Sequence, residues 1–243
     1  MGTSTSYSAP PSWRGIKGEV TRAARDGSIT TDKARQLMQS FIRNNGGASA
    51  LAGRGRQGEG AIASGQAARS VAQRLGNFVS DVGRIGFVNA LRKAGWRDLV
   101  GRPVSEILNA LLDRLGGDAS TIEDVDARMA LSDLQAEYFA DAASIEELEQ
   151  RLIAQVDKLE KVLQDFFGHY LYELFCRVFF ERLVQLIGDI KAKSFLKEIS
   201  DFIKSTLENR ISDRNISQID WTANEGATIT TEIMETTLKV FGE

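Results

Sequence analysis

The side chains that could do chemistry in this sequence are few and far apart. The single histidine, His169, stands between Gly168 and Tyr170 in an apolar run, and the single cysteine, Cys176, stands between Phe175 and Arg177. A lone histidine on an apolar face reads as a hydrogen-bonded core side chain rather than a general base. A lone thiol among aromatic residues reads as an inert buried group. One cysteine allows no internal disulfide and no cysteine-based zinc cluster, and one histidine removes His-rich metal sites. A helical di-metal site needs Glu-x-x-His pairs, and the residue three before His169 is Phe166. The acidic groups Glu123-Asp124-Asp126 and Glu146-Glu147-Glu149 fall at predicted helix N-termini, where the macrodipole favours carboxylates without a metal. The expectation is a protein without catalytic residues, metal or cofactor.

Two other stretches offer chemistry of a different kind. Gly46–Gly65 holds seven glycines and a basic tip, Arg54 and Arg56. A phosphate loop would need a Lys followed by Ser or Thr after the glycines and an apolar strand before them, and neither is present. Nucleic-acid binding by an arginine–glycine segment would draw on aromatic partners that this stretch lacks. A flexible linker is the expectation. The first thirteen residues, Met1–Trp13, read MGTSTSYSAPPSW, without a charge and with Pro10 and Pro11 adjacent. So little apolar area cannot offset the entropy of ordering, so a flexible tail is expected. Gly2 is small enough for the initiator to be removed before it, which would leave a glycine with a free α-amine. Pro10-Pro11 would hold that end away from the body as a stiff spacer. Such a tail either presents its N-terminus to a partner or is an ordinary terminal extension, and composition leaves both open.

The elements behind these residues read as helices. The 243 residues suffice for one large or two small domains with a proper core. No secretory signal opens the sequence and no run approaches a spanning helix, so a cytoplasmic protein without membrane attachment is expected. The net charge of −3 hides an asymmetry: residues 1–102 carry 16 Lys/Arg against 6 Asp/Glu, and the remainder 14 against 27. A split of this kind suits two faces with different partners, or two halves that dock on each other.

Apolar residues recur three or four apart almost throughout, with three prolines and no convincing alternation, which predicts an all-α fold: a multi-helix bundle with a flexible N-terminal tail and a Gly-rich inter-helix linker. The predicted organisation is a tail at 1–13, a helical hairpin at 14–45, a linker at 46–66, a central helical region at 67–142 and a C-terminal bundle at 143–243. In the hairpin, Ser12 caps a helix from Trp13 to about Asp26 with Trp13, Ile16, Val20 and Ala23 on one stripe. Gly27 stops it, and Thr30 or Thr31 opens a second helix carrying Ala34, Leu37, Met38, Phe41 and Ile42. The pattern then predicts a helix from about Ala61 to Leu75 and another from Phe78 to Ala94, separated at Gly76-Asn77. Gly83 and Gly86 inside the second imply close packing. Pro103 opens a helix through Leu115, and Ser120-Thr121-Ile122-Glu123 and Ser144–Glu147 read as capping boxes. The helix after Ser144 is predicted to be the longest, leading into the aromatic cluster Phe166–Phe180, the expected core of the C-terminal half. Ser194 is predicted to open another helix, and a last one carries Ile229, Ile233, Leu238, Val240 and Phe241.

Several stretches together resemble the QatB family of the bacterial Qat anti-phage defence system. They are the opening MGTSTS, the GRGRQGEG of the glycine-rich stretch, LGNFVSDVGRIGFVNALRKAGWRDLVGRP from Leu75 to Pro103, EILNALLDRLGG, STIEDVDARMALSDL and the closing IDWTANEGATITTEIMETTLKVF. The resemblance spans most of the chain and implies specific company: an ATPase (QatA), a QueC-like enzyme (QatC) and a TatD-like nuclease (QatD). It also implies a chemistry, in which the QueC-like partner uses ATP to attach a deazaguanine base to an N-terminal glycine. Gly2 would be that glycine. Thr3, Ser4, Thr5, Ser6 and Trp13 would be the residues read beside it by the partner. Two functions of different class follow from the sequence. One is a non-catalytic substrate and adaptor modified at Gly2. The other is a nucleic-acid-binding or scaffolding subunit of a defence complex acting through its basic N-terminal half, and a structural oligomer built on the aromatic helices is a third.

Overall fold

A computed structural model describes residues 13–56, 61–139, 141–208 and 214–242. Among the described residues there are eleven α-helices and no strand, so the chain is all-α. The helices are α1 (Arg14–Arg25), α2 (Thr31–Asn44), α3 (Ala48–Leu51), α4 (Gln66–Ile85), α5 (Phe87–Lys93), α6 (Val104–Gly116), α7 (Ile122–Phe139), α8 (Ile145–Val156), α9 (Leu159–Ile187), α10 (Asp189–Glu208) and α11 (Asn224–Gly242). They group into two compact units, each assembled from separated stretches. One comprises Met1–Gly65, Leu171–Arg210 and Glu235–Glu243; the other comprises Gln66–Tyr170 and Ile211–Met234.

The first unit is organised by the α1–α2 hairpin. The predicted stripe Trp13, Ile16, Val20 and Ala23 is buried, and so are Ala34, Leu37, Met38, Phe41 and Ile42. Gly27 takes φ +83° at the end of α1, and Thr30 caps α2 by accepting the Lys33 N–H at 3.3 Å. Antiparallel α1 and α2 bring the Trp13 ring edge-on to Phe41, with centroids 5.4 Å apart. Phe41 continues to Phe175, and Phe175 to Phe179 at 4.7 Å, so the hairpin closes onto the aromatic run of α9. The Ile29 N–H donates to Glu198 of α10 at 2.7 Å and fixes the hairpin loop. α10 begins at Asp189 rather than Ser194, because Gly188 at φ +82° reverses the chain and its carbonyl accepts the first helical N–H, from Ala192.

Part of the glycine-rich stretch is helical. Gly47 turns at φ +90° into α3, and Ala48, Ala50, Leu51 and Ala52 are buried.

The second unit is built around α4. Gly76-Asn77 does not separate two helices: α4 runs unbroken through it, and the break falls at Gly86, φ +79°. Gly76 serves close approach instead, since a Cβ there would stand 2.5–2.7 Å from three ring atoms of Trp221. Gly83 serves the same purpose against Val156, as the sequence suggested. Around that break Phe87 and Ala90 are buried, Ile85 is exposed and Val88 is half-buried. The helix predicted after Ser144 is two: α8 ends at Asp157, and the longest helix is α9, of 29 residues. The first capping box sits one residue later than expected, with Thr121 accepting the Asp124 N–H at 3.1 Å and Asp124 accepting the Thr121 N–H at 2.7 Å. The Ser144 cap forms as expected on the Glu147 N–H at 3.1 Å. The last carbonyls of α6 are taken by arginines. Arg74 donates to the Leu115 and Gly116 oxygens, and Arg128 to that of Gly117.

Candidate functional site

The residues assigned to modification and partner reading are reached only in part. Gly2, Thr3, Ser4, Thr5 and Ser6 lie outside the described residues, as does Ser12. Trp13 is described, and its placement corrects its assignment to partner contact. It is 0 % exposed, held between Phe41 at 5.4 Å and Phe179 at 6.4 Å. An indole of that size gains more by leaving water inside the aromatic cluster than it would on a surface. Trp13 is therefore part of the aromatic core of the first unit.

The other singled-out residues are dispersed. His169 on α9 is 8 % exposed; its Nε2 lies 3.1 Å from Glu137 and its Nδ1 4.0 Å from Asp133, both carboxylates on α7. That is the hydrogen-bonded core histidine the sequence suggested. Beside it on α9, the Tyr170 hydroxyl donates to Glu123 at 3.1 Å. Tyr138 donates to Asp165 at 2.6 Å, and burial together with that carboxylate pushes the Tyr138 phenol well above its ordinary pKa. Cys176 is half-buried rather than fully enclosed. Among the described residues no three His, Cys, Asp or Glu side chains are placed to hold a metal ion. No helix among them is long and apolar enough to cross a membrane.

The basic tip of the glycine-rich stretch is partly engaged. Arg54 pairs with Glu235 of α11 at 3.2 Å, and Glu235 also accepts from Ser49 at 2.6 Å and pairs with Lys239 at 3.2 Å. The Ser49 hydrogen bond first, then Lys239 and Arg54, hold the Glu235 carboxyl below its ordinary pKa against the opposing effect of burial. Arg56 is exposed. The charge asymmetry follows the units more informatively than the halves of the sequence: the first holds 17 Lys/Arg against 12 Asp/Glu, net +5, and the second 13 against 21, net −8.

Compared with known families, residues 58–241 match the model of the Qat anti-phage system associated protein QatB. The chain belongs to the QatB family. It is thus a component of the Qat anti-phage defence system, and the other Qat components are its natural company. The QatB match begins after the α1–α2 hairpin, so Gly2, Trp13 and the hairpin all precede it. No curated protein and no solved structure matches the chain. Sequence reasoning missed one feature of the hairpin, a polar cleft between its helices, because its walls come from residues that only the antiparallel fold brings together.

Proposed function

We propose that this QatB-family chain is a non-catalytic defence protein whose Gly2 amine is the substrate of a QueC-like partner, QatC, which conjugates a deazaguanine base to it at the expense of ATP. The observation that carries this is the order of residues at the start: Gly2, four small uncharged neighbours, Pro10-Pro11, then a buried anchor at Trp13. A glycine amine is unhindered. Thr3, Ser4, Thr5 and Ser6 let an extended strand enter a narrow cleft without stranding a charge away from water. Trp13 lies eleven residue steps beyond Gly2, a maximum reach of about 40 Å at 3.3–3.6 Å per step. That reach allows a partner to take the amine into its own site while the folded body stays outside.

The test is the intact mass of the protein co-expressed with the QueC-like partner. The expected spectrum shows loss of Met1 and one further addition that maps to Gly2, and a Gly2→Glu variant loses both the addition and protection against phage. Loss of Met1 alone in the wild-type co-expression would refute the proposal. The excess of basic residues in the first unit favours a second function, binding nucleic acid as a subunit of a complex with QatA and QatD. It predicts salt-dependent retardation of a DNA or RNA fragment, weakened in the Arg54→Ala/Arg56→Ala variant. Absence of retardation at low salt would remove it.

A further inference from the structure

An open cleft of about 540 Å3 runs between α1 and α2. Its loop end is closed by the Asp26–Lys33 pair at 2.6 Å, whose charges cancel. Its other end is the one at which Trp13 meets Phe41. Two guanidiniums border the cleft, Arg22 on α1 and Arg43 on α2, and neither has a hydrogen-bond or ion-pair partner among the described residues. Arg22 Nη1 stands 3.6 Å from the place a Cβ on Gly18 would take. The side chain therefore runs back along α1 toward the end where Arg43 leaves α2. Gln36, Gln39 and Ser40 add neutral donors and acceptors along the α2 wall, and Glu19 adds a carboxylate on α1.

We propose that this cleft docks an acidic linear peptide segment of a partner protein, with its carboxylates on Arg22 and Arg43 and its backbone amides against Gln36, Gln39 and Ser40. Guanidinium forks match carboxylates in two-point contact, and side-chain amides match a peptide backbone as donor and acceptor at once. The volume falls within the range of sites that take a short peptide or a small ligand. The net +5 of the unit draws an acidic segment toward it. A nucleic-acid strand fits less well: no aromatic ring lines the cleft to stack a base. The chain's own first twelve residues carry no charge and do not supply the occupant. The cleft lies before the stretch matched to the QatB family, and its role goes beyond modification of Gly2 without depending on it.

The test is fluorescence anisotropy of the full chain with a fluorescein-labelled dodecapeptide of alternating Glu and Ser, at low and physiological salt. Saturable binding is expected, with roughly two- to fivefold lost per arginine as for exposed ion pairs, or about tenfold in the Arg22→Gln/Arg43→Gln variant. Glu19→Gln should tighten binding about twofold by removing the one repelling carboxylate. Arg22 and Arg43 are exposed, so an unchanged melting temperature of the double variant separates lost contacts from lost fold. No saturable binding by the wild type, or equal binding by the double variant, would overturn the proposal. So would a labelled dodecanucleotide that binds as tightly with the same arginine dependence, which would assign the cleft to nucleic acid. Sedimentation showing a dimer that the double variant abolishes would assign it to a second copy, and likewise overturn it.

Discussion

Replacing Gly76 by alanine sets two well-defined effects against each other. Gly76 lies in the interior of α4, where alanine is favoured over glycine by about 0.8–1.0 kcal/mol of helix propensity. The added methyl, however, would stand 2.5, 2.6 and 2.7 Å from three atoms of the Trp221 ring. The indole has no easy retreat. Gln73 holds the Trp221 carbonyl at 2.7 Å, and Gly226 of α11 packs so closely that a Cβ there would lie 2.7 Å from the Trp221 Cα. Overpacking a rigid site costs about 1–3 kcal/mol, and with both neighbours pinned the upper half of that range applies. The expected result is a net loss of about 1–2 kcal/mol, or roughly 2–8 °C in Tm for a chain of this size. Gly18→Ala is the control: its methyl meets only Arg22 Nη1, at an ordinary 3.6 Å, so propensity should prevail and stability should rise by up to ~1 kcal/mol. Thermal unfolding followed by circular dichroism reads both. In a Trp221→Leu background the Gly76→Ala cost should disappear, a coupling within the ~0.5–3 kcal/mol expected for touching residues. A Gly76→Ala protein as stable as the wild type would refute the account of why this glycine is there.

Two further outcomes follow from the electrostatics and capping. The depressed Glu235 carboxyl contributes stability that is fully present above the unfolded-state pKa, near 4.5, and is lost as pH falls through the lower folded value. The stability gap between wild type and Glu235→Gln should therefore be flat from pH 7 to 5 and shrink below about 4.5; a gap that persists unchanged at pH 3 would contradict the Ser49–Glu235–Lys239 arrangement. Thr121→Ala should cost about 1 kcal/mol through loss of the α7 cap, while Ser120→Ala, one residue outside it, should cost distinctly less in denaturant unfolding.

Much of the fold was legible because its signals were redundant. In the hairpin, the apolar stripe, Gly27 and Thr30 each marked the same two helices, and every predicted inward residue of α2 is buried. The errors came where one signal has two physical meanings. Glycine in a helical pattern marks either a break or a close approach: Gly76 and Gly83 are approaches, and Gly86 is the break. Ser120 and Thr121 each precede an acid at the right spacing, so the capping register was degenerate until packing chose Thr121. The α8–α9 junction at Asp157-Lys158 carries neither Gly nor Pro and left no trace in the pattern. For the site, the resemblance implied Trp13 as a contact residue while the apolar stripe already set it inward, and its neighbours Phe41 and Phe179 are distant in sequence and only the fold reveals them. Arg22 and Arg43 escaped notice because each looks like any other polar-face arginine until the helices are set side by side.

The burial of Trp13 also makes the hairpin answerable to α9. Its ring is shared between Phe41 of α2 and Phe179 of α9, so a substitution that shrinks it opens a void bordered by both helices at once. The hairpin and the aromatic run of α9 thus tolerate or resist change together.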